Sequence, residues 1–247
     1  MTQATPATFS ERFQHLREAQ KRKTGVPLYT LAINRPVGRV IAAAAPARAT
    51  PNHLTAVGAV LTFAGILALM LAADGAGWGF LVGVALVVGF FFDSADGQLA
   101  RLRGGGSAAG EWLDHVIDGA RIVLLHVATL LYLLRTETLP PTAAFAICTV
   151  FLLTASATFF GGGLFEKLTT TAPDPTVTRG SRLRSALMLP VDYGVLCWVY
   201  LLVPVPAVFV VVYTAAGAAK VVTTTMLLTK WYRTLRREDA ARRAAVS

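Results

Sequence analysis

The residues best suited to chemistry are Asp93, Asp96, Asp114 and Asp118, which form two pairs spaced i, i+3 and i, i+4. On helices, either spacing puts both partners on one face. Four carboxylates aimed at one place present hard oxygen donors, the kind that magnesium and manganese take together with water and substrate phosphates. The plainer use for them is interhelical salt bridging. Arg101, Arg121 and Lys220 are the cations within reach, too few to neutralise four carboxylates.

The elements that must position these residues read as membrane spans. The 247-residue chain is 54% hydrophobic and 15% charged, with mean hydropathy +0.55, which is too apolar for a soluble surface. Crossing about 30 Å of hydrocarbon takes about 20 mostly apolar residues, and Asn52 to Ala73 supplies them without one charge. The next apolar stretch, Trp78 to Asp93, covers only about 23 Å, so its helix must carry Asp93 and Asp96 into the membrane. The third, Ile122 to Leu134, covers about 20 Å and must carry Asp114 and Asp118. Counted from the far side of this antiparallel hairpin, Asp93 lies about 15 residues from Trp78 and Asp118 about 16 from Leu134, a common depth. An aspartate inside a membrane helix costs about 2.5 to 3.5 kcal/mol, so four without partners would cost roughly 10 or more, and something must offset that.

Three further spans are expected, at about Pro141 to Phe165, Ser185 to Val203 and Pro206 to Thr229, with proline turns at Pro140-Pro141 and Pro204-Val205-Pro206. The expected fold is an all-α membrane protein: six transmembrane helices preceded by cytoplasmic interfacial amphipathic segments. Residues 1–49 would form the N-terminal interfacial part, 50–230 the catalytic membrane domain and 231–247 a basic tail. Around Ser10, Phe9, Phe13 and Leu16 share a helical face, the alternative being a disordered basic tail up to Gly25. After Pro36, Val37, Val40, Ile41, Ala44 and Ala45 recur at helical spacing. Thr50-Pro51 supplies a cap and a first-turn proline for the first span.

Lys and Arg number 23 against 14 Asp and Glu, a formal +9, and they sit between apolar runs, a pattern that argues against nucleic-acid binding. With six spans, Arg12 to Arg48, Arg101 and Arg103, Lys167 to Arg184, and Lys230 to Arg243 share one side, with Arg135 opposite. The positive-inside rule makes that side the cytoplasm. Cys148 and Cys197 lie in apolar stretches without metal-ligand spacing, and no cleaved signal peptide is expected.

Between the aspartate pairs stand Gly97, Ala100, Arg101 and Gly110, small residues that suit either the close approach of a bulky ligand or tight helix packing. Gly104, Gly105 and Gly106 read as a flexible loop, since neither the strand nor the lysine of a phosphate-binding loop accompanies them. The whole stretch reads Asp93-x-x-Asp96-Gly97-x-x-Ala100-Arg101, eight residues, then Gly110-x-x-x-Asp114-x-x-x-Asp118. It resembles the signature of the CDP-alcohol phosphotransferase family (CDP-alcohol phosphatidyltransferases) at every defined residue and spacing. The match covers about a tenth of the chain. Thr50-Pro51-Asn52-x-x-Thr55 is also similar to that family, and Ile33 to Arg39 resembles faintly the branch making di-inositol phosphates.

The resemblance implies metal-dependent transfer of a substituted phosphate from CDP-diacylglycerol or another CDP-alcohol to an alcohol, with CMP leaving, in phospholipid or phosphodiester synthesis. It implies that Asp93, Asp96 and Asp114, helped by Asp118, hold two magnesium or manganese ions, and that Asp118 is the general base. Asp96, Gly97, Ala100, Arg101 and Gly110 would receive the CDP donor. It also implies a lipid bilayer, a prokaryotic cell membrane with the site facing the cytoplasm, and a homodimer.

For the acceptor, Arg121 shares the face of Asp118, and Lys220 lies about 14 residues from Pro206, near the aspartate level. With Lys167, Arg179, Arg182 and Arg184 they could bind a phosphate, so a phosphorylated polyol such as inositol phosphate or glycerol phosphate is expected. Equally, Arg121 could neutralise Asp118 and the loop merely obey the charge rule. Asp192 would touch acceptor hydroxyls or a neighbouring helix, while His115 and His126 read as satisfied polar residues. The rival class is a cation transporter using intramembrane carboxylates, but such folds often repeat, and no second aspartate hairpin occurs in the last three spans.

Overall fold

A computed structural model describes residues 8–18, 26–71, 76–170, 188–189 and 192–244. Thr50 and Pro51 start the first span, α3 (Pro51–Leu71), as their chemistry dictates. The His53 N–H donates to Thr50 Oγ1 and the Thr50 N–H to His53 Nδ1, each at 3.3 Å, a reciprocal cap on otherwise unpaired donors. α4 (Ala76–Leu102) and α5 (Ala108–Arg135) make the expected antiparallel hairpin. Its turn uses Gly104 at φ +90° and Gly105 at φ +133°, a region open to glycine alone at little cost. Ser107 then caps α5, its hydroxyl accepting from the Gly110 N–H at 3.0 Å.

α6 (Pro141–Leu168), the short α7 (Tyr193–Val199) with its 3-10 continuation Tyr200–Leu202, and α8 (Pro206–Ala244) complete the bundle. Five helices, α3 to α6 and α8, are long and apolar enough to cross a membrane, and no strand occurs among the described residues. The chain is an all-α, multi-pass membrane protein. Of the fifth expected span only Tyr193–Leu202 is a described helix, and at 1.5 Å per residue it covers about 15 Å, half a crossing. The start of that expected span falls partly outside the described residues. α8 runs 39 residues, well past the expected end near Thr229, because neither glycine nor proline follows Gly217 to stop it.

α4 is the central element, packing on α3, on the N-terminal helices and on the α7 segment. At Gly83 an added Cβ would fall 2.5 Å from the Leu201 backbone nitrogen, so only glycine lets the 3-10 turn lie against α4. Tyr132, Tyr200 and Tyr213 are fully buried in the apolar core, and the hydroxyls of these three are satisfied. Tyr132 donates to the Val203 carbonyl at 2.8 Å, Tyr200 pairs with Thr129 Oγ1 at 2.7 Å, and Tyr213 pairs with His126 Nδ1 at 2.6 Å. His126 is thus a satisfied polar residue, and His115 Nδ1 lies 2.9 Å from the Glu111 carbonyl.

Before the bundle come α1 (Phe9–Glu18), a π-helical turn (Thr30–Asn34) and α2 (Arg35–Ala44). α1 buries Leu16 beside Ala42 and Ala43, and Arg12 donates to the Ala45 carbonyl at 2.8 Å, satisfying the end of α2. The buried face of α2 differs from the stripe read in the sequence: Gly38, Ala42 and Ala43 turn inward while Val40 is 48% exposed. Close approach explains it, since Gln98 reaches from α4 to donate to the Arg35 carbonyl at 2.9 Å. The turn before α2 is anchored by Tyr29, whose hydroxyl accepts from the Trp198 indole at 2.8 Å; burial pushes this phenol above its ordinary pKa.

Candidate active site

The α4–α5 hairpin brings together Asp93, Asp114 and Asp118, one oxygen from each lying within 4.8 Å of the others, and all three are partly buried. The pairing of depths explains this: α4 descends from Trp78 and α5 returns toward Arg135, so the two aspartate levels coincide. Asp96 stands outside this trio, one turn along α4. It is only 8% exposed, and its Oδ2 accepts from the Thr55 hydroxyl at 2.5 Å. Thr55 belongs to α3, so the first span fixes one carboxylate of the second.

Arg121 lies within the same site. Its Nη1 donates to Asp93 Oδ1 at 3.2 Å and its Nη2 to Asp118 Oδ1, while the guanidinium carbon sits 4.3 Å from the Tyr193 ring centre and 5.6 Å from that of Phe90. Of the two uses open to Arg121 in the sequence, the structure shows the neutralising one. A buried ion pair needs hydrogen bonds and good geometry to offset desolvation, and this fork over two carboxylates provides them.

Beside the trio, toward the middle of the bundle, opens a cavity of about 320 Å³. Asp93, Asp118 and Arg121 line one end; Lys220 of α8, Thr158 and Phe159 of α6, and Leu196 of α7 line the rest. Lys220 therefore reaches the aspartate level as its position in the last span suggests. Asp192 also borders the cavity but is engaged elsewhere. It caps α7 by accepting from the Gly194 N–H at 2.8 Å, and it ties that helix to the N-terminal turn by accepting from the Thr30 hydroxyl at 2.9 Å. Of its two expected uses, the contact with a neighbouring element is the one present.

Gly97, one residue beyond Asp96 toward the hairpin turn, faces open space: an added Cβ would meet only Arg101 Nη1, at 3.8 Å. Gly110 is tighter, 3.2 Å from Ser107 Oγ and 3.4 Å from Asn52 Oδ1 by the same test. Ala100 lies in the last turn of α4, its carbonyl accepting from the Gly105 N–H at 2.9 Å. None of these three residues lines the cavity. Lys167 is exposed in the last turn of α6 and does not line the cavity, while Arg179, Arg182 and Arg184 lie outside the described residues.

The trio's donor set fits a hard divalent cation: carboxylate oxygens only, close together and partly buried. Sequence reasoning missed the supporting groups Phe90 and Tyr193, and it named Thr55 at the entry to the first span without its contact to Asp96. Tyr193 carried no signal, because its partner is distant in sequence.

Comparison with known proteins returns no match among curated proteins. Residues 48–225, well over half of the chain and including every residue of the aspartate hairpin, match the family model for CDP-alcohol phosphatidyltransferase. The chain belongs to the CDP-alcohol phosphatidyltransferase family.

Proposed function

We propose that this protein transfers a substituted phosphate from a CDP-alcohol, CDP-diacylglycerol or a soluble CDP-polyol, to a phosphorylated polyol such as inositol phosphate or glycerol phosphate, releasing CMP. Membership of the family makes it a transferase acting on CDP-alcohols and does not favour the cation-transporter alternative. The observation that carries the finer reading is that Asp118 belongs both to a metal-suited trio and to the lining of a cavity that holds a lysine.

Magnesium or manganese, held by Asp93, Asp114 and Asp118 with Asp96 close by, would supply positive charge against the donor diphosphate. Gly97, Ala100, Arg101 and Gly110, between the two aspartate pairs in the hairpin and outside the cavity lining, suit the cytidine end of the donor. The cavity suits the acceptor, with Lys220 meeting its phosphate. The acceptor hydroxyl gives its proton to Asp118 as its oxygen bonds to the phosphorus that carries the donor's alcohol. The bond from that phosphorus to the bridging oxygen breaks, and CMP leaves with the electron pair. Asp118 gives Oδ1 to Arg121 and keeps Oδ2 for that proton. The site faces the cytoplasm of a prokaryotic cell by the charge asymmetry of the loops, and a homodimer is the assembly that the resemblance suggests.

The test is incubation of the purified protein with CDP-diacylglycerol or CDP-polyols against a panel of acceptors, with and without chelator, identifying products by mass. CMP released only with both substrates and a divalent metal is the expected result. Ion flux without CMP would overturn the assignment, and equal use of phosphorylated and unphosphorylated alcohols would overturn the acceptor class alone.

A further inference from the structure

We infer that Arg121, held in place by Tyr193, is a positioning residue that sets the separation of Asp93 and Asp118 for the metal. This rests on the metal-dependent reading above. One planar guanidinium engages a carboxylate from each helix of the hairpin: Nη1 takes Asp93 Oδ1 at 3.2 Å and Nη2 takes Asp118 Oδ1. The two donors of one fork have a fixed spacing, so the carboxylates they hold acquire a fixed spacing too. Each aspartate meets Arg121 through Oδ1 alone, so its Oδ2 is not engaged by the guanidinium. Arrangements of this kind, in which a partner behind the ligand orients it, commonly govern metal affinity.

A contrary role is conceivable on charge alone. A cation between two carboxylates could stand in for the metal and be expelled when it binds. The packing speaks against expulsion. The Arg121 side chain is only 7% exposed, and its guanidinium lies against the rings of Tyr193 and Phe90. Stacking of this kind fixes the guanidinium plane, and a lysine could copy neither the stack nor the fork. The two roles predict opposite signs. Removing an orienting residue weakens metal binding; removing a competing cation strengthens it.

Tyr193 makes the inference testable without touching a charge. It lies at the start of α7, and Asp192 beside it is tied to Thr30, so the N-terminal turn and the fifth segment together hold the ring against Arg121. The contact is made by the ring, so phenylalanine should preserve it and leucine should not.

The experiment is manganese titration of the full-length protein in detergent, without substrates, following free manganese by electron paramagnetic resonance on monodisperse fractions. Wild type, Asp93→Asn, Arg121→Lys, Tyr193→Leu and Tyr193→Phe are compared. Arg121→Lys is expected to bind about 10 to 100-fold more weakly than wild type. Tyr193→Leu should show a smaller loss, and Tyr193→Phe should restore wild-type affinity. If Arg121→Lys does not fold, the difference between the two Tyr193 variants decides alone. Wild-type affinity in both Arg121→Lys and Tyr193→Leu, or tighter binding in either, overturns the positioning role while leaving the metal reading intact. Absence of Asp93-dependent manganese binding in the wild type overturns both.

Discussion

The Thr55 hydroxyl donates to Asp96 Oδ2 at 2.5 Å, linking the first membrane span to the aspartate hairpin. Asp96 is almost fully buried, and a buried carboxylate that loses its donor costs more than the hydrogen bond itself was worth. Thr55→Val keeps the shape and removes the donor. It is predicted to destabilise the protein by about 1 to 3 kcal/mol and to reduce turnover, while Thr55→Ser stays close to wild type. Thermal unfolding in detergent together with CMP release checks this; an unchanged Thr55→Val variant would show that Asp96 finds its partner elsewhere.

The four aspartates should separate by role. Replacing Asp93, Asp96 or Asp114 by Asn is predicted to abolish activity, since each removes anionic oxygen from the site. Asp118→Asn should lose most turnover yet still bind the CDP donor, if its main work is to take the acceptor proton. Equilibrium binding of a radiolabelled CDP-alcohol to each variant, set beside its rate of CMP release, separates the two effects. Normal turnover in Asp118→Asn would remove the general base from the mechanism.

The two ends of the bundle should face different compartments. The Gly104-Gly105 turn and Ser107 lie at one end, and the residues after Arg135 at the other, where Arg135 also binds the Met70 and Leu69 carbonyls that finish α3. Single cysteines at Ser107 and Glu137, in a background lacking Cys148 and Cys197, should therefore react differently with an impermeant maleimide. The Glu137→Cys protein is expected to label in intact cells and the Ser107→Cys protein only after permeabilisation. The reverse result would invert the topology.

What was legible in the sequence followed from local rules. The hairpin could be placed because two apolar stretches were each too short to cross without their aspartates, and the start of α3 because Thr50-Pro51 supplies a cap and a first-turn proline. Local rules stop where a partner comes from elsewhere in the chain. The i, i+3 spacing showed that Arg121 could reach Asp118, but not that it also grips Asp93 from the neighbouring helix, nor that Tyr193 packs against it. Which side of α2 packs on the bundle was not legible for a related reason. Hydrophobic spacing marks the apolar side of a helix, whereas in contact with a neighbouring helix the small side, here Gly38, Ala42 and Ala43, is the one that packs.

Lys220 carries the last prediction, because Arg121 is committed to Asp93 and Asp118 and Lys220 is the remaining cation among the described residues that line the cavity. A charge-assisted hydrogen bond from its ammonium to a phosphate is worth about 1.5 to 3 kcal/mol, so Lys220→Met should raise the acceptor KM by roughly 10 to 100-fold. Donor affinity should change little, since Gly97 and Gly110 do not line the cavity that Lys220 enters. Methionine keeps much of the length and apolar stem of lysine, which limits the packing contribution to the effect. Steady-state kinetics with each substrate varied in turn gives the comparison, repeated with an unphosphorylated acceptor. The variant should discriminate less than the wild type between the two acceptors. If Lys220→Met instead weakens the donor and leaves the acceptor KM alone, the cavity belongs to the alcohol portion of the CDP-alcohol.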